Sequence, residues 1–210
     1  MRGADAITIS RIALVVPIVY LVVLKANPMA PAILLLVAMA LDGLDGFAAL
    51  RSASKGSLSL LDYLKYALGN RKYAKKIGDL KASIGKAASY GPRFDVAGDR
   101  ITEYSLWGLF TYVHIVPLFV LIIIIVRNSM ADALMGAKGT SSKMKTRFAN
   151  ILYSNRMASF ISIFLKFVTF SYLMFVYVLN YPVWVGYALI AVLVVYIVAR
   201  GAAEVYESLA

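Results

Sequence analysis

Six candidate bilayer crossings, two of them sharing one long apolar region, run through this 210-residue chain. A helix needs about 20 mainly apolar residues to cross the hydrocarbon core. The candidates are 7–24, 29–50, 95–112, 116–135, 158–179 and 183–199. The apolar region from Ile101 to Val126 is too long for one tidy helix, and it contains His114 and Pro117, which suit a turn. With helical structure beginning near Asp95, it divides into two crossings. Hydrophobic residues make up 61% of the chain and charged residues 16%, a balance unsuited to a soluble domain of this length. The first stretch lacks a small-residue cleavage signature and reads as a mature membrane helix, not a removed signal. The chain has no cysteine, which excludes disulfides, thiolate catalysis and zinc–cysteine sites.

The distribution of charge orients the layout. The net charge is +11, and a basic chain can bind nucleic acid, but here the position of the charges favours retention on the cytoplasmic face. Segments 51–100 and 127–156 are both rich in Lys and Arg, so an even number of crossings separates them. The opposite face then has short connections near 25–28, 113–116 and 180–182. Of the 22 Lys and Arg, only Lys25 falls in them, while Lys166 lies inside the fifth crossing. The expected fold is an all-α, multi-pass integral membrane protein of the cytoplasmic (inner) membrane. It forms one domain over 1–210, with six transmembrane helices, both termini cytoplasmic and no nucleic-acid partner.

Carboxylates interrupt this apolar pattern at two places. Asp42 and Asp45 sit three apart at the cytoplasmic end of the second helix, and Asp95 and Asp99 sit four apart at the start of the third. Both spacings put a pair on one helical face. A helix N-terminus favours Asp95 and Asp99 through its dipole, but a C-terminal end disfavours Asp42 and Asp45. Four close carboxylates repel unless a cation joins them, and no compensating cation is evident in the sequence. Hard oxygen ligands suit Mg²⁺, Mn²⁺ or Ca²⁺. Gly43, Gly46, Gly91 and Gly98 flank the acids, where small residues allow either close helix packing or the approach of a bulky phosphate.

These residues resemble the signature of the CDP-alcohol phosphotransferases, D-x-x-D-G-x-x-A-R followed by G-x-x-x-D-x-x-x-D. The first half reads Asp42, Asp45, Gly46, Ala49, and the second Gly91, Asp95, Asp99. The six-helix layout is similar to that family's, closest in style to the phosphatidyl- and archaetidyl-inositol phosphate synthases. The resemblance implies transfer of a phosphatidyl-type group from CDP-diacylglycerol or CDP-archaeol to a small alcohol, with release of CMP. It implies a two-metal site, Mg²⁺ or Mn²⁺, held by Asp42, Asp45, Asp95 and Asp99, with Asp99 as general base. Asp42, Gly46, Ala49, Arg51 and Gly91 would lie beside the nucleotide. The implied partners are the CDP-lipid, the alcohol, the bilayer and a second copy in a homodimer. "TISR" (8–11) resembles the family's N-terminal T-x-x-R segment by position and composition.

Two departures stand out. Leu50 occupies the position of the family arginine, and Arg51 follows it. One residue turns a helical side chain by about 100°, so Arg51 reaches the same phosphate only where the helix unwinds. The two halves are also separated by residues 52–90, far more than the usual spacer. This insert reads as helical, with an apolar stripe of Ile77, Leu80 and Ile84 among Lys75, Lys76, Lys81 and Lys86. A basic amphipathic segment suits an anionic membrane surface or a solvated lid.

Arg156 opens the fifth helix and Arg200 closes the sixth, both on the cytoplasmic face, which makes them candidates for a phosphorylated acceptor such as inositol phosphate or glycerol phosphate. Serine or another unphosphorylated alcohol is the alternative acceptor. Two other classes carry membrane acids. An intramembrane prenyltransferase has more helices and releases pyrophosphate, and a cation transporter places its carboxylates nearer the bilayer midplane.

Overall fold

The computed structural model describes residues 3–53, 58–67, 73, 77, 91–138 and 156–209, and among the described residues it is helical with no strand. The helices are α1 (Gly3–Val23), α2 (Met29–Ala53), α3 (Leu60–Ala67), α4 (Gly91–Tyr112), α5 (Leu118–Lys138), α6 (Arg156–Leu179) and α7 (Val183–Leu209). The six long helices take up the six candidate crossings. Five keep close to their expected ends, while α7 continues past 199 to Leu209. Among the described residues three stretches are long and apolar enough to cross a membrane: Asp5–Val23, Phe160–Leu179 and Val183–Tyr206. Met29–Leu44 is a shorter apolar run. No more than 33% of each of the three is buried inside the protein, so most of their apolar side chains face outward. In water such faces would be costly, and the three helices point to a membrane protein.

The expected turns are present, and they form without glycine. A left-handed residue follows α1 at Lys25 (φ 51°), α4 at His114 (φ 60°) and α6 at Asn180 (φ 56°). At the first two, paired backbone bonds close the helix end. Lys25 N donates to Val22 O at 2.9 Å and Ala26 N to Leu21 O at 3.0 Å. His114 N donates to Thr111 O and Ile115 N to Phe110 O, both at 3.0 Å. This two-bond closure satisfies carbonyls that a helix end leaves open, and it requires one left-handed residue. The ammonium of Lys25 lies 4.9 Å above the Tyr177 ring, and Trp184 is 73% exposed, as suits a residue at the membrane–water boundary.

The chain divides into two compact units, residues 1–16 with 36–102, and residues 17–35 with 103–210. In the second, α7 packs against α5 and α6. Its aromatic centre is Phe170, with the Trp107 ring edge-on at 5.1 Å and the Phe110 ring stacked at 6.1 Å. This unit also holds a string of buried polar groups. Lys166 Nζ lies 3.0 Å from Glu103 Oε2, and Asn128 Nδ2 donates to the same oxygen at 3.4 Å. Arg127 donates to Asn128 Oδ1 at 2.7 Å and to Glu204 Oε2 at 3.2 Å. α4, α5, α6 and α7 each contribute to it. Lys166 therefore ends in an ion pair within the protein. Arg127 lies across α7 at Gly201, where an added Cβ would stand 2.7 Å from its Cγ.

In the first unit, Phe47, Leu50, Leu58 and Ile77 form a buried cluster, with Tyr63 against it. The insert was expected to offer Ile77 to a membrane or to solvent. Instead Ile77 is fully buried with two residues of α2, because those side chains need covering as much as it does. Leu80, Ile84, Lys75, Lys76, Lys81 and Lys86 lie outside the described residues. The insert's described helix is α3, where Ser59 Oγ accepts from Leu61 N at 3.3 Å as an N-terminal cap. α3 carries Leu60 and Leu61 exposed on its surface.

Candidate active site

The site lies within the first unit and is built by α1, α2 and α4. Thr8 and Arg11 are three apart on α1, so they share a face, and both are buried, at 3% and 2% exposure. That face meets α4 at Gly98. A Cβ there would stand 2.7 Å from Thr8 Cγ2 and 2.8 Å from Arg11 Nη2. Gly98 is thus required for close approach of the two helices. Asp95 and Asp99 share the corresponding face of α4, one turn apart.

Arg11 joins the acids of two helices. Its Nη1 pairs with Asp42 Oδ1 and, at 2.8 Å, with Asp99 Oδ1. Its Nη2 lies 3.3 Å from both Asp95 Oδ1 and the Asp95 backbone carbonyl. Oxygen atoms of Asp42, Asp95 and Asp99 fall within 4.8 Å of one another. At that separation two carboxylates repel by roughly 3 kcal/mol for an effective dielectric of about 20. One guanidinium offsets one of three negative charges. Arg11 Nε is buried with no hydrogen-bond partner.

This corrects one expectation. The acids do have a cation fixed by the protein, and it is Arg11. Local sequence pattern does not reveal it, because its partners Asp95 and Asp99 lie far along the chain. Its one sequence signal was the T-x-x-R likeness of "TISR".

The other expected residues are distributed as follows. Asp45 lies in α2 three residues after Asp42, and its side chain, like those of Gly46 and Ala49, lies outside the described residues. The structure therefore brings together three of the four aspartates. α2 continues to Ala53, so Asp42 and Asp45 sit inside a helix, several residues short of its end. Gly43 is exposed, with nothing within 4 Å of an added Cβ, so packing does not require it. Gly91 is the first residue of α4. α2 stays helical through Arg51, so the unwinding that would turn Arg51 to the position of Leu50 does not occur. Leu50 is buried and Arg51 exposed, its guanidinium 5.9 Å from the Phe47 ring centre. Arg156 opens α6, with its side chain outside the described residues. Arg200 does not close its helix, because α7 runs on to Leu209; its Nε lies 3.9 Å from Glu204 Oε1.

Three carboxylates with convergent oxygens form a hard donor set, and they fit Mg²⁺ or Mn²⁺. Residues 1–58 match the family model for CDP-alcohol phosphatidyltransferase. The family resemblance holds. The match takes in Arg11, Asp42, Asp45, Gly46 and Ala49, and it ends inside the insert, before Asp95 and Asp99. No curated protein matches the chain, and no solved structure does. The family's chemistry is transfer of a phosphatidyl group from a CDP-alcohol to an alcohol.

Gly98→Ala tests the packing. The new methyl would overlap Thr8, whose β-branched side chain has little rotamer freedom in a helix, and the buried end of Arg11. Overpacking of this kind costs about 1–3 kcal/mol. A lower thermal midpoint in detergent is expected, with reduced turnover as Arg11 is displaced. Wild-type values for both would mean that α1 and α4 are further apart.

Proposed function

We propose that this protein transfers a phosphatidyl-type group from a CDP-linked lipid to the hydroxyl of a small polar alcohol, releasing CMP. The observation that carries the reading is the convergence of Asp42, Asp95 and Asp99 within 4.8 Å, alongside a family match that covers the first half of the signature. Asp42, Asp45, Asp95 and Asp99 are the proposed metal ligands. When bound, the metals neutralise the pyrophosphate and polarise the phosphorus under attack. Asp99 accepts the proton of the acceptor hydroxyl; its side chain is 48% exposed, open to an incoming alcohol. Asp42, Gly46, Ala49, Arg51 and Gly91 are the residues proposed to lie beside the nucleotide. The proposed setting is a six-crossing homodimer of the cytoplasmic membrane, with the site on the cytoplasmic face.

The acceptor class is proposed to be a phosphorylated polyol, with Arg156 and Arg200 contacting its phosphate. A charge-assisted contact contributes about 1.5–3 kcal/mol. Arg156→Ala or Arg200→Ala should then raise the acceptor KM roughly tenfold or more, since about 1.4 kcal/mol is tenfold, with CDP-lipid affinity nearly unchanged. The assay is CMP release by purified protein at saturating CDP-lipid, with acceptor titrated. Wild-type KM in both variants, or serine as the best acceptor, would overturn the phosphate contact. Release of pyrophosphate from a prenyl donor, with no CMP from CDP-lipids, would overturn the reaction itself.

A further inference from the structure

We propose that Arg11 is the internal counter-ion of the metal-free aspartate cluster, and that a divalent cation displaces its guanidinium on binding. The inference rests on the metal reading above and adds a step to it.

The argument begins with shared atoms. Arg11 Nη1 and Nη2 occupy Oδ1 of Asp42, Asp95 and Asp99, and the same three carboxylates form the hard-oxygen cluster. A carboxylate oxygen turned toward a guanidinium N–H is not free to ligate a metal with the same lone pair. Loss of a proton is not a route open to arginine side chains in proteins. The guanidinium has to move. Two observations bear on that movement. Arg11 is 2% exposed, so water does not replace it in the resting cluster. Its Nε is a buried donor without an acceptor, so the present position leaves part of the fork unsatisfied. A buried donor left unpaired opposes the state that leaves it so. The resting pairing is therefore held by the charge of three acids, and a cation of higher charge competes for that same interaction. Binding of the metal and retention of the Arg11 contact are then negatively coupled, and such coupling is reciprocal.

The test measures metal affinity and stability without turnover. Mn²⁺ is titrated into detergent-purified wild type, Arg11→Met and Arg11→Lys, with free Mn²⁺ read by electron paramagnetic resonance. Thermal midpoints are taken with and without Mn²⁺. Removing the competitor should tighten Mn²⁺ binding roughly tenfold or more in Arg11→Met, within the usual range of coupling between sites. Arg11→Lys keeps a charge but has no fork to span three carboxylates, so it should fall between. Without metal, Arg11→Met should unfold at a lower temperature than wild type, and saturating Mn²⁺ should close most of that gap. Mn²⁺ affinity unchanged or weakened in both variants would overturn the displacement and leave the metal reading intact. So would a stability loss that is the same with and without Mn²⁺, the signature of a purely structural arginine. No Mn²⁺ binding in wild type or either variant would overturn the metal reading, and this inference with it.

Discussion

Asp95→Asn is expected to lower CMP release by about 100- to 1,000-fold, the range seen when one preorganised electrostatic group is lost, while the protein still folds. The asparagine keeps the size of the side chain, and its carbonyl can still accept from Arg11. Arg11 also retains Asp42 and Asp99, at 2.8 Å in the latter case. One negative charge leaves a group of three close carboxylates, so the thermal midpoint should stay the same or rise. What is lost is one of the proposed hard oxygen ligands and its charge. Metal affinity and turnover should therefore fall together, a pattern that unfolding cannot mimic when stability is measured in parallel. Undiminished CMP release by Asp95→Asn would remove this residue from the site.

The second large effect is expected from Glu103→Leu. Glu103 is 4% exposed and receives both the Lys166 ammonium and the Asn128 amide. Leucine fills much of the same volume but leaves a partly buried cation and a fully buried amide without that acceptor. Breaking a buried ion pair from one side costs about 3–5 kcal/mol. Hydrogen bonds between membrane helices average nearer 0.6 kcal/mol, so most of the loss should come from the stranded charge. Glu103→Leu with Lys166→Met removes that charge and should recover most of the stability in thermal unfolding. If the double variant is as unstable as the single, the ion pair is not the source of the effect.

The contrast between helices and site follows from the range of the forces that set them. Apolar length, with the 101–126 region divided at His114 and Pro117, predicts six long helices, and the polar and proline residues around His114 and Asn180 mark their turns. Each is a local property, readable without knowing what the helix packs against. The left-handed residues at Lys25, His114 and Asn180 carry no glycine signal, and they were placed by the ends of the apolar runs. The overrun of α7 past 199 was not legible, because its last turns are held by Glu204 against Arg127 on another helix. Ile77 is evidently apolar in the sequence, but its partners Phe47 and Leu50 lie on α2, thirty or so residues earlier. Among the acids, helical spacing paired Asp42 with Asp45 and Asp95 with Asp99. It said nothing of Arg11, whose effect depends on a tertiary approach made possible at Gly98.

That approach has a temporal side. Arg11 and Asp95 are separated by 84 residues of chain. A ribosome adding about 5–20 residues per second takes roughly 4–17 s to cover that distance. During this interval α1 and then α2 emerge with Arg11 and Asp42 already made, while Asp95 and Asp99 do not yet exist. By then one of the arginine's eventual acids has been made and the other two have not. The ion cluster is consequently a late product of biogenesis, completed after the first two apolar helices and the whole basic insert have been synthesised.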